Sequence, residues 1–171
     1  IVGLRYFNVY GPQEHHKGKM ASIFYQLYHQ ILDVGEARLF RGTDGIADGE
    51  QRRDFVYVGD VVRVNLHFFE HGGESGVYNC GTGVAHSYNE AARAVIAALG
   101  KGEDQISYVT DRKGHDRRYA IDPTKIGREL GWKPATKFDD GIEAVVAWYR
   151  DHTSWWEDIL SGVYEKRNAE A

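Results

Sequence analysis

Short apolar runs suited to buried strands alternate along this chain with stretches whose apolar residues recur at helical spacing, and that alternation points to an α/β fold. Residues 1–10 read as one buried strand stopped by Gly11-Pro12. A polar loop over 13–19 precedes a helix predicted over 20–34, with Ile23, Phe24, Leu27, Ile31 and Leu32 on one face and Gly35 as its stop. Further strands are expected over 37–40, 53–58, 77–80 and 106–109. Asp60 is placed to cap a helix over 61–70, and Ser87 with Glu90 has the spacing of a capping box for a helix over 88–99. Asp122-Pro123 opens a helix that Gly131 closes, Asp139 or Asp140 caps one ending near Tyr149, and Ser154 with Glu157 suggests a last one. No repeat and no linker long enough to separate a pair of domains interrupts the 171 residues, so a single domain is expected.

Composition narrows the function classes. A formal net charge of −4 lacks the basic footprint of a nucleic-acid binder, so no nucleic-acid partner is expected. No run approaches the roughly 18–20 apolar residues of a membrane span, so no membrane partner is expected either. The single cysteine, Cys80, cannot form an internal disulfide, which fits a reducing, cytoplasmic setting. The chain opens at Ile1 inside what reads as a core strand, which leads to the expectation of a missing N-terminal half. A strand normally buried in a larger sheet and left open at its edge also leads to an expectation of self-association as a homo-oligomer.

Three cationic clusters could hold an anion. The first is the loop His15-His16-Lys17-Gly18-Lys19; its histidines have no further ligand at a familiar metal spacing, so no metal is expected. The second is Arg52-Arg53-Asp54-Phe55, where an arginine could grip a diphosphate in bidentate fashion or simply pair with the neighbouring aspartate. The third, residues 111–119, sets Arg112, Lys113, Arg117 and Arg118 with His115 and Tyr119 around Gly114. Its cations suit phosphates, and its tyrosine could stack on or hydrogen-bond a base or sugar. A charge run is otherwise a solvated face. Asn79-Cys80-Gly81-Thr82-Gly83 lacks the third glycine of a dinucleotide fingerprint and reads as a tight turn, while Trp148, Trp155 and Trp156 fit helix packing.

The words Arg5-Tyr6-Phe7-Asn8-Val9-Tyr10-Gly11-Pro12, His16-Lys17-Gly18, Met20-Ala21-Ser22 and Arg53-Asp54-Phe55-Val56-Tyr57-Val58-Gly59-Asp60 carry a resemblance to the extended short-chain dehydrogenase/reductases. Residues 1 to about 100 resemble their ADP-glycero-manno-heptose 6-epimerases. From about residue 106 the chain instead resembles the dTDP-glucose 4,6-dehydratases, through Tyr108-Val109-Thr110-Asp111-Arg112-Lys113-Gly114-His115-Asp116-Arg117-Arg118-Tyr119 and the later Gly131-Trp132-Lys133-Pro134 and Trp155-Trp156. The switch of likeness implies a crossover within 84–105, as a chimera would have. Lys19, Gln26 and Tyr88 depart from residues common in one or other family.

The resemblance implies the C-terminal substrate-binding lobe of such an enzyme, with residues 1–10 and 77–83 as late strands of its Rossmann sheet. It implies a nucleotide-diphosphate sugar as ligand and NAD or NADP as cofactor. Lys17 matches a proposed second acid/base group, and with Val9 a position beside the nicotinamide. Substrate contacts are implied for Asn8, Phe40, Arg41, Gly42, Thr43, Arg53, Asp111, Arg112, Lys113, Gly114, His115 and Tyr119. The family's catalytic Tyr-x-x-x-Lys and glycine-rich cofactor loop occur nowhere in the 171 residues, so the chain alone is expected not to turn over substrate. A dehydratase substrate lobe, or a recombined or engineered domain without catalysis, are the alternative readings.

Overall fold

A computed structural model describes residues 1–161. The architecture is α/β, with parallel pairing in four small sheets. Strand β1 (Val2–Tyr6) runs parallel to β6 (Gly76–Cys80), and β2 (Val9–Tyr10) parallel to β5 (Val56–Tyr57). β3 (Ala37–Phe40) pairs with β8 (Ile106–Val109), again in parallel. β4 (Arg52–Asp54) is central in the fourth sheet, antiparallel to β7 (Ala85–Ser87) and parallel to β9 (Arg118–Tyr119).

The larger core lies among three helices, α1 (Ile23–Val34), α3 (Tyr88–Ala98) and α5 (Phe138–Asp151). Phe24, Leu27 and Ile31 of α1 meet Ala92, Val95 and Ile96 of α3 and Ile142, Val145 and Tyr149 of α5, with Ala37 and Leu39 beneath. Helical spacing of these apolar residues buries one stripe of each helix and leaves the charged faces outside. A smaller core joins Val64 of α2 (Val58–His71), Tyr78 and Cys80 of β6, and Ile126 of α4 (Thr124–Leu130). Burial there pushes the Cys80 thiol up to about 11, which keeps it protonated and inert. No helix among the described residues is long and apolar enough to cross a membrane.

Several sequence expectations need correction. The run 1–10 is two strands, because Asn8 adopts φ 34° and turns the chain out of the β1–β6 pair into β2. Asparagine tolerates that left-handed region better than most residues, and nothing in apolar spacing reveals the turn. The run 53–58 likewise breaks at Phe55, giving β4 and β5. The supposed polar loop contains a 3-10 helix, His15–Met20, and α1 starts only after Ser22, whose hydroxyl accepts from Tyr25 N. Asp60 is not a cap: α2 already begins at Val58, and the buried carboxylate accepts from Ala135 N and Thr136 N and pairs with Arg63. Asp139 and Asp140 sit inside the first turn of α5, where their charge suits the helix dipole, and Lys137 precedes them. Ser154 lies inside α6 (Thr153–Leu160), which His152 precedes. Strands β7 and β9 are too short and polar to have been expected.

The reciprocal capping box of Ser87 and Glu90 is present as the spacing predicted. Ser87→Ala removes that cap, and chemical denaturation should show a loss of about 1 kcal/mol. An unchanged denaturation midpoint would mean that the box contributes nothing to α3.

Candidate functional site

The site grows from one buried acid. Glu14 is 2% exposed and lies just past the Gly11-Pro12 turn that ends β2. Its Oε1 accepts from Ser22 Oγ at 2.7 Å and from Gly11 N at 3.3 Å. Its Oε2 accepts from Ser22 N at 2.8 Å and from the Lys17 ammonium at 3.3 Å. One carboxylate thus ties the exit of β2, the 3-10 turn and the first residues of α1. Tyr149 of α5 closes the same junction by donating to the Gly11 carbonyl oxygen at 3.2 Å, and its burial raises its phenol far above the ordinary value.

Beside this junction opens a cavity of about 570 Å³. Asn8, Val9 and Lys17 form one wall, Leu39 and Phe40 of β3 another, and Arg112 with His115 closes a third. Asn8 Nδ2 donates to the Asp54 carbonyl oxygen at 3.0 Å, which fixes the amide at the point where the backbone turns left-handed. Lys17, Lys19, Arg38 and Arg112 all line the cavity. Glu14 is the one carboxylate among the described lining residues, and its oxygens are already engaged. A cleft with that excess of positive charge suits an anionic ligand.

The 111–115 segment is held in shape. Asp111 Oδ1 bonds His115 Nδ1 at 2.8 Å, and Gln51 Nε2 donates to Asp111 Oδ2 at 3.4 Å. The His115 ring packs edge-on to Phe40 and roughly parallel to Tyr88. Burial raises the Tyr88 phenol above its ordinary value, opposed by the Arg53 and Arg112 charges.

Six of the sequence candidates therefore meet at one cavity: Asn8, Val9, Lys17, Phe40, Arg112 and His115. Others do not reach its wall. Arg53 is 5% exposed and lies behind Tyr88, its guanidinium 5.4 Å from that ring centroid and bonded to the Arg52 carbonyl oxygen. Arg41, Gly42 and Thr43 form the turn after β3. There Arg41 approaches Asp48, Gly42 N donates to Asp48 Oδ1, and a Cβ on Gly42 would collide with the Ile46 carbonyl. Asp111 supports His115 from outside, while Lys113 and Gly114 form an exposed tip. Tyr119 stacks on Phe7 with ring centroids 4.3 Å apart, away from the cavity lining. Sequence reasoning passed over Glu14, Arg38 and Tyr88 as site formers. Glu14 falls within the same motif region, but its burial depends on contacts eight residues away.

Removing the Glu14 carboxylate strands buried donors on Ser22 and Gly11. Glu14→Ala should lower stability by about 3 kcal/mol in denaturant unfolding. A loss under about 0.5 kcal/mol would show that water replaces those contacts and that the carboxylate does not organise the wall.

Residues 1–81 match the NAD dependent epimerase/dehydratase family. The chain is 52% identical over 120 residues to the ADP-L-glycero-D-manno-heptose-6-epimerase of Alkalilimnicola ehrlichii, an alignment covering 70% of this chain and 38% of that protein. Its structure is similar to dTDP-glucose 4,6-dehydratase from Bacillus anthracis in complex with NAD, with a TM-score of 0.76, 29% identity, and coverage of 91% of this chain and 46% of that one. It is also similar to the ADP-L-glycero-D-manno-heptose-6-epimerase of Helicobacter pylori, with a TM-score of 0.68, 35% identity, and coverage of 85% and 42%. The chain spans less than half the length of each of these relatives.

Proposed function

Because residues 1–81 carry an NAD dependent epimerase/dehydratase family domain, we propose that this chain is the substrate-binding part of a nucleotide-sugar epimerase acting on an ADP-heptose-like substrate. The observation that carries the reading is the cavity itself: Asn8, Val9 and Lys17 share it with Arg38 and Arg112, so sugar-reactive groups and diphosphate-sized positive charge face one space. The 52% identity to an ADP-heptose epimerase supports the choice of sugar nucleotide.

In this reading the diphosphate lies against Arg112 and Arg38, whose guanidinium groups donate paired hydrogen bonds to phosphate oxygens. The Asn8 amide, fixed through its Nδ2, leaves its Oδ1 to accept from a sugar hydroxyl. Lys17 holds its ammonium within reach of the sugar and can deliver a proton to one face of it. The Glu14 carboxylate keeps that ammonium directed along the wall. A family cofactor, NAD or NADP, would supply hydride chemistry. This chain by itself does not fit a dinucleotide, since no Gly-x-Gly-x-x-Gly turn opens any of its helices, so no redox step is assigned to its residues. Consistent with this, the chain alone is proposed to be catalytically silent.

A second reading has its own support. The ordered Asp111–His115 segment and the structural similarity over 91% of the chain favour a dTDP-glucose 4,6-dehydratase substrate lobe.

Calorimetric titration separates the two. Under the first reading ADP-mannose binds and dTDP-glucose does not, and Arg112→Gln weakens ADP-mannose about tenfold, or about 1.4 kcal/mol. Selective binding of dTDP-glucose would support the dehydratase reading instead. Binding of neither, or epimerase turnover by the pure chain, would contradict the proposal.

A further inference from the structure

His15 has no role in the cavity, yet it is among the most enclosed polar side chains of the chain, at 4% exposure. Neither ring nitrogen has a hydrogen-bond partner. Its ring is walled by aromatic groups from three helices. Tyr25 of α1 stands edge-on at 5.1 Å and Tyr149 of α5 at 5.2 Å, while Trp156 of α6 stacks at 5.5 Å with planes 10° apart and Trp155 closes the side at 5.6 Å. The His29 ring is 5.9 Å away, and its Nε2 is also buried and unpartnered. An imidazole boxed in this way is tolerated only when neutral, because a buried cation without a partner is far more costly than an unpaired neutral nitrogen.

Among the described residues, the charged and titratable groups around it offer no counter-ion. On the 3-10 turn His16 and Lys17 can only add positive charge, and the Glu14 carboxylate is engaged by Gly11, Lys17 and Ser22. On α1, Asp33 lies 3.9 Å from His29 Nδ1, on the far side of that ring from the orphaned nitrogen, and Tyr25 and Tyr28 are neutral phenols. On α5, Tyr149 donates to Gly11 O, while Arg150 pairs with Asp151 and His152 bonds the Trp148 carbonyl oxygen. From α6, Trp155 and Trp156 supply the contacts to the ring, while Glu157 on the same helix is exposed.

The elements around His15 are unequal in how firmly they are held. α1 and α5 belong to the main core. α6 is eight residues long and follows a break at His152 (φ −124°, ψ 40°); among its described side chains the two tryptophans pack on the His15 ring, and Trp156 Nε1 donates to the Tyr149 carbonyl oxygen at 3.0 Å. Beneath it lies the turn that carries Lys17 and Lys19 to the cavity.

We propose that α6 is a proton-released latch over the 3-10 turn His15–Met20: it stays docked while His15 is neutral and undocks when that ring takes up a proton. Loss of the latch exposes His15 and frees the turn bearing Lys17, without unfolding the three-helix core. The sign follows from the environment. Burial first, then the neighbouring His29 and His16, lowers His15 from its ordinary 6.5 to about 4, and burial lowers His29 against the pull of Asp33. The docked form therefore binds fewer protons than the released form. Its stability is complete above about pH 6.5 and falls as the pH drops toward about 4.

Tryptophan emission read against far-ultraviolet circular dichroism on the full chain tests this without any ligand, so the result is independent of the nucleotide-sugar reading. The latch requires a red shift of emission on acidification below about pH 6 while helical ellipticity holds, and cleavage near residues 150–154 about tenfold faster at about pH 5 than at about pH 7.5. His15→Phe, which keeps an aromatic ring and cannot be protonated, should lose both changes. In the unmodified chain, the His15 ring resonances should titrate with the same midpoint as the emission shift, which needs no variant to fold. Emission and ellipticity changing together, a His15→Phe transition like the parent's, or a His15 titration that leaves emission unmoved would each overturn the latch.

Discussion

Three buried carboxylates fasten neighbouring elements at their junctions, Glu14 locally and Asp54 and Asp60 across long stretches of chain, and the arrangement of the site depends on them. Glu14 accepts the amides of Gly11 and Ser22, joining β2 to α1. Asp54, fully buried, accepts Thr82 N at 2.8 Å, Thr82 Oγ1 at 2.6 Å and Gly83 N at 2.9 Å, pinning the turn after β6 against β4. Asp60 accepts the amides of Ala135 and Thr136 and so ties α2 to the approach to α5. Hydrogen bonds of this kind, charged acceptor to backbone donor, are stronger than neutral ones, and each satisfies amides that would otherwise be orphaned at a junction. The short strands could not fix these junctions alone, since several pair over only two or three residues.

The cavity is a consequence of that bracing. Glu14 sets where Lys17 stands, and the carbonyl of Asp54 holds the Asn8 amide at a left-handed turn. The Glu14 carboxylate spends its charge on backbone, Ser22 and Lys17, and Arg38 Nε is held by Glu36, so Lys19, Arg112 and the outer nitrogens of Arg38 carry the positive charge that faces the space. That division of labour suits a ligand with its negative charge concentrated in one place, as a diphosphate has, and a neutral, hydroxyl-rich portion near Asn8 and Lys17.

Much of the regular structure was legible from local rules. The Ser87–Glu90 box, the strands at Ala37–Phe40 and Ile106–Val109, and the glycine stops at Gly35 and Gly131 follow from signals spanning a few residues. What escaped depends on distance in the chain. Asp60 has the look of a helix cap until Ala135 and Thr136 arrive from 75 and 76 residues away. The break at Asn8 is decided by two different strand partners, β6 and β5, which apolar spacing cannot distinguish. For the site, motif resemblance brought out Asn8, Lys17, Phe40, Arg112 and His115, all of which line the cavity. It could not separate a wall residue from its support, so Arg53, behind Tyr88, and Asp111, behind His115, were grouped with groups that face the space. Tyr119, expected as a ligand-stacking ring, stacks one of its faces on Phe7 and lies outside the cavity lining.

On the proposed reading, the cation-lined cavity receives the diphosphate of a sugar nucleotide. Nuclear magnetic resonance mapping with ADP tests it most directly, because it reports where the ligand sits rather than only whether it binds. Perturbations are expected to centre on Asn8, Lys17, Arg38, Phe40 and Arg112 and to saturate together at one affinity. Perturbations confined to the exposed Arg118–Asp122 surface, or spread over the chain without saturation, would contradict it.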